Sequence, residues 1–84
     1  MPSYLVEAYV PRSRAEEPRS TARRAQAAAA ELSGEGTPVR YVRTTFLPED
    51  ETCFHVFEAP SAEVVSEVGR RAGLTWARIL TAVE

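Results

Sequence analysis

Residues 41–60 read Tyr-Val-Arg-Thr-Thr-Phe-Leu-Pro-Glu-Asp-Glu-Thr-Cys-Phe-His-Val-Phe-Glu-Ala-Pro. Two β-rich runs flank an acidic turn, Pro48-Glu49-Asp50-Glu51. The stretch holds the only cysteine, Cys53, the only histidine, His55, and all three phenylalanines. A four-residue loop pairs Leu47 with Thr52. It then sets Phe46 against Cys53, Thr44 against His55 and Val42 against Phe57. On this phase Cys53, His55 and Phe57 share one face. Tyr41, Arg43, Thr45, Phe54, Val56 and Glu58 share the other. A one-residue slip would exchange the faces of one strand.

Upstream, Tyr4–Val10 alternates as a half-buried strand: Tyr4, Val6, Ala8 and Val10 on one face, Leu5, Glu7 and Tyr9 on the other. Pro11–Pro18 is a polar connection. From about Arg19 the chain reads as helix, with Ala22, Ala25, Ala29 and Leu32 inward and Gly34 and Gly36 ending it. Downstream, Ser61 is an N-cap and Val64, Val65, Val68 and Ala72 form the apolar side of a second helix. Gly73 is its C-cap, and Arg78–Val83 is a last short strand. The order β-α-β-β-α-β predicts one α+β, ferredoxin-like domain over residues 1–84, an antiparallel sheet with two helices on one face.

Composition narrows the function classes. A net charge of −2 with both signs dispersed gives no basic face for nucleic acid. No run approaches the roughly 18 apolar residues of a membrane span, and the start shows no signal peptide. One cysteine makes no internal disulfide, so the expected location is cytoplasmic. All ten basic residues are arginine, which looks like a GC-rich bacterial coding bias. A chain this small has a thin core, and pairing one sheet face in a homodimer would enlarge it.

Tyr-Leu-Val-Glu at 4–7, the run from Leu47 to Ser61, and Arg-Arg-Ala-Gly-Leu at 70–74 together resemble a family of small bacterial ferredoxin-like domains. That family includes a nickel-binding protein. The resemblance spans nearly the whole chain and implies a ferredoxin-like homodimer, with nickel held for sequestration. Relatives in that family carry a cysteine at the place of His55 and histidines at the place of Arg43 and near Gly69, so the ligand set here differs.

Cys53 and His55, two apart on a strand, point the same way with Cα atoms roughly 7 Å apart. A thiolate and an imidazole suit a borderline divalent metal ion such as nickel. The expected ligands are His55, then Cys53, then Glu7, in a protein that buffers the ion rather than a catalyst. The bland alternative makes Cys53 a small buried hydrophobe and His55 a partner of Thr44. If helices cover their face, His55 belongs to the core and function is to be sought beside Glu7. A thiol nucleophile with an imidazole base lacks a glycine-rich elbow and a third orienting group.

A different class of function would use the helix-free face of a sheet-on-sheet dimer. There Leu5, Tyr9, Tyr41, Phe54 and Val56 would line a small-molecule or enzyme cleft, with Glu7, Arg43 and Glu58 at its polar end. A third class is a structural partner module without a ligand. The acidic turn reads as a solvated hairpin tip or a weak cation site. Trp76 is either an interface anchor or a lid over the second helix.

Overall fold

Alternation of apolar and polar residues, punctuated by Pro and Gly, produces the expected order of elements. The computed structural model describes residues 1–83. Strand β1 is Ser3–Tyr9, helix α1 Glu17–Gly34, strand β2 Arg40–Leu47, strand β3 Thr52–Glu58, helix α2 Ala62–Ala72 and strand β4 Arg78–Ala82. The strands form one sheet in the order β2-β3-β1-β4, with every neighbouring pair antiparallel. This is the ferredoxin-like α+β architecture, and no helix is long and apolar enough to cross a membrane.

The hairpin register follows the loop length. Leu47 faces Thr52, Phe46 faces Cys53 and Thr44 faces His55. Pro48–Asp50 forms a short 3-10 turn, and Glu51 closes it at φ 48°. That left-handed backbone in a non-glycine residue is held from two sides. The Glu51 carbonyl accepts from Val10 N–H at 3.0 Å, and its carboxylate accepts from Arg12 N–H at 2.9 Å. The acidic tip is therefore tied to the end of β1 rather than wholly solvated.

Beyond Thr44 the register departs from simple alternation. Arg43 faces Val56, but Tyr41, not Val42, faces Phe57. The bulge inserts one residue and carries Tyr41 to the core side. Its ring meets Phe57 edge-on with centroids 5.8 Å apart. Tyr41 thus leaves the helix-free face on which strict alternation puts it.

The core lies between sheet and helices. Val6, Phe57, Val65 and Val68 are fully buried, with Ala25, Ala29 and Leu32 of α1 against them. Small alanines let α1 lie close to the sheet. Pro18 occupies its first turn, where the missing N–H costs nothing. Ser61 caps α2, its hydroxyl accepting from Val64 N–H at 3.4 Å. Gly73 closes α2 at φ 69°, and Leu74 N–H returns to the Gly69 carbonyl at 2.9 Å.

Two contacts fasten the helices. Trp76 covers α2 as a lid: a Cβ placed on Gly69 would lie 2.6 Å from its Cζ3 atom. Arg71 of α2 reaches Glu31 of α1 at 2.7 Å, Glu35 just past the end of α1 at 2.8 Å, and Glu67 on its own helix at 2.8 Å. Hydrogen bonds from Arg70 and then Arg71 pull the Glu67 carboxyl down to about 2. The hydrogen bond from Arg71 lowers Glu35 as well.

Gly69→Ala gains about 1 kcal/mol of helix propensity but overpacks the indole by about 1–3 kcal/mol. The close contact decides the sign. The melting temperature should fall by about 5–10 °C in a calorimetric scan, and a rise would show that Trp76 has room to move. Glu67 and Glu35 have folded-state values below their unfolded ones. Their stabilisation is present above about pH 4.5 and is lost as pH falls, for Glu67 toward about 2. Arg71→Met should flatten this acid sensitivity in thermal melts, though not abolish it, because Arg70 still holds Glu67. An unaltered pH profile would remove Arg71 from the linkage.

Candidate functional site

The phase of β3 turns Cys53 and His55 toward the helices. Both are buried, with His55 only 2% exposed. The His55 ring is held at both nitrogens. Nδ1 lies 2.7 Å from Thr44 Oγ1, and Nε2 lies 3.8 Å from Cys53 Sγ. Thr44 Oγ1 also meets the Tyr41 hydroxyl at 2.7 Å. The bulge that brings Tyr41 inward is what completes this row.

The row Tyr41–Thr44–His55–Cys53 has two self-consistent polarities. In one, Tyr41 O–H donates to Thr44, Thr44 O–H donates to Nδ1, and Nε2–H donates to sulfur. In the other, Cys53 S–H donates to Nε2, Nδ1–H donates to Thr44, and Thr44 O–H donates to Tyr41. Burial pushes the Cys53 thiol up to about 11 and lowers the His55 imidazole below its ordinary value. At neutral pH the pair is an uncharged thiol and an uncharged imidazole. That is unsuited to a free nucleophilic thiolate. In the second polarity, loss of the thiol proton leaves two lone pairs facing one another.

The three expected ligands divide. Cys53 and His55 are brought together. Glu7 pairs with Phe54 in the β1–β3 register, on the helix-free face, where its carboxylate accepts from Arg78 Nε at 3.1 Å. Among the described residues no group of three or more His, Cys, Asp or Glu side chains is placed to hold a metal ion. Arg43 pairs with neither Glu7 nor Glu58. It is exposed, and Glu58 instead takes Arg40 at 2.8 Å.

A cleft of about 440 Å³ opens beside His55. The C-terminal half of β1, the first turns of α1 and the connection from Gly73 to Ala77 enclose it, and His55 lies among its lining residues. Spacing alone did not reveal this cleft, because it is assembled from three separated segments. The only local hint was the Gly73-Leu74 cap, which turns the chain back across the end of α2.

The helix-free face has its own order. Arg43, Val56, Leu5 and Leu80 form one row across all four strands. The row on one side contains the Arg40–Glu58 ion pair, and the row on the other the Glu7–Arg78 pair.

Searches of the curated proteins and of the solved structures return no match to this chain. The family described as "Nickel responsive protein SCO4226-like" matches residues 4–81, a span that takes in all four strands and both helices. The chain therefore belongs to the family of nickel responsive SCO4226-like proteins.

Proposed function

We propose that this protein binds nickel and sequesters or buffers the ion as a cytoplasmic homodimer. Membership of a nickel responsive family supports the ion. The approach of Cys53 Sγ to His55 Nε2 at 3.8 Å supports the place. Bonds of about 2.3 Å to sulfur and about 2.0 Å to imidazole, at the near-right angle of a square-planar or tetragonal nickel site, set those atoms about 3 Å apart. Closing from 3.8 Å takes a movement of less than about 1 Å. Thr44 at Nδ1 is the kind of outer partner that orients a ligating imidazole. Two protein ligands leave positions for water or donors from a second chain, with entry through the cleft beside His55. Glu7, across the sheet, shares no ion with this pair inside one chain, and we assign it to the dimer face.

That face offers an apolar run, Val56, Leu5 and Leu80, ending at the exposed Arg43 on the edge strand and flanked by two rows containing ion pairs, the arrangement of an interface core with a polar rim. Val56 is 8% exposed without a helix over it, and Leu5 and Leu80 continue the same row. A second copy placed sheet on sheet covers it and adds to a thin core.

Binding nickel displaces the Cys53 proton, whereas the imidazole is already neutral above its lowered value. Affinity should therefore rise roughly tenfold per pH unit between about pH 6.5 and 9. Calorimetry on untagged protein should show saturable nickel binding, weakened about tenfold or more by His55→Gln and by Cys53→Ser. Absence of binding removes the function. Full binding by both variants moves the site elsewhere, Glu7 first. In sedimentation equilibrium the chain should behave as a dimer, with Leu5→Glu shifting it to monomer. A wild-type monomer at high concentration would exclude the dimer.

A further inference from the structure

The helix-side cleft has walls of two chemical kinds. Its inner part is formed by Ala8 of β1 and Val10 just after it, by Leu74 and Trp76, and by the His55 ring at the edge of the core. Its outer part is formed by Arg14, just before α1, and by Glu17 and Arg24 in the first turns of α1. About 440 Å³ is within the range of small-molecule sites, which join an apolar wall to a few convergent polar groups.

The charges at the mouth do not cancel. Arg14 Nε and the Glu17 carboxylate form an ion pair at 2.8 Å. Arg24 takes no carboxylate partner among the described residues. Its Nε donates to the Ala72 carbonyl at 2.9 Å, which tethers the side chain to the end of α2, where Arg24 also borders a second, smaller cleft lined by Ala72. The guanidinium fork is thereby positioned, with its terminal nitrogens left for another acceptor. The cleft thus presents one uncompensated, oriented cation over an apolar and aromatic interior.

We propose that this cleft binds a small amphipathic carboxylate, its apolar or aromatic body against Trp76 and Leu74 and its carboxylate on Arg24. The charge balance selects the class. A cation would meet two arginines. A dianion such as phosphate brings more charge than Arg24 matches and meets the Glu17 carboxylate beside it. A neutral apolar body gains nothing from the positioned guanidinium, which stays on water. The carboxylate proposal does not rest on nickel or on a second copy, although the cleft borders the Cys53–His55 pair through the His55 ring.

Trp76 is the only tryptophan, so intrinsic fluorescence reports on the cleft directly. Titration with benzoate should give a saturable change with a dissociation constant of about 0.1–10 mM, as expected for a probe this small. Benzylamine, benzyl alcohol and acetate should each bind about tenfold or more weaker. Arg24→Gln should weaken benzoate about tenfold, and Arg40→Gln, on the other side of the sheet, should leave it unchanged. If Arg24→Gln melts early, amide shift mapping on the wild-type protein replaces it. The benzoate-induced shifts should then concentrate in residues 17–24 and 73–77. Absence of saturation by about 10 mM, an equal response to benzylamine, full affinity in a stably folded Arg24→Gln, or shifts centred on another surface would each overturn the proposal.

Discussion

The register of β3 between β2 and β1 is the constraint from which the rest follows. Seven residues, Thr52–Glu58, are paired on both sides, so no slip of one residue is available without breaking two ladders. The phase sends Phe57, His55 and Cys53 under the helices and leaves Phe54, Val56 and Glu58 on the open face. It places the buried His55 imidazole where Thr44 can meet it, and it forms the row on which a second copy can sit. The four-residue turn sets this phase on one side. Glu51 holds that turn to the end of β1, so the third and first strands are locked at the same point.

Much of this was legible in residue order, for a physical reason. A strand with a four-residue loop has few registers, and the placement of Cys53 and His55 on one face follows from a period of two. Helix ends were legible in Pro18, which lacks a backbone N–H, in Ser61, whose hydroxyl caps α2, and in Gly36 and Gly73, which take the positive φ that ends a helix. Tyr41 was not. A bulge is a local insertion that leaves no mark in alternating polarity, and it moved the tyrosine from the open face into the Thr44–His55 row. The Arg43 pairing failed for a related reason. Pairing on a sheet face is decided by which carboxylate lies at the same level on a neighbouring strand, and Arg40 and Arg78 already occupy Glu58 and Glu7.

The Arg71 clamp and the cleft were hidden for a different reason. Each joins residues far apart in the chain, Glu31 and Glu35 to Arg71 in one case, β1 and the start of α1 to residues 73–77 in the other. Helical periodicity marks Arg71 only as a residue of the last turn. Its role depends on the crossing of the two helices, which is set by alanines on α1 and by the seat that Gly69 provides for Trp76.

Burial of His55 bears on both chemistry and stability. Every buried side-chain nitrogen and oxygen among the described residues has a partner, so the imidazole is a satisfied member of the core before any ion arrives. A satisfied group is a poor ligand only if its partners are lost on binding. Here Nδ1 keeps Thr44 whichever atom Nε2 addresses, and the atom at Nε2 is itself a metal donor. Exchange of one thiol proton for an ion therefore leaves Tyr41, Thr44 and Nδ1 in their second polarity, with the Nδ1–H and the Thr44 O–H both still used. The same row that makes His55 a structural residue leaves it prepared to ligate, and core packing and metal binding are compatible at this position.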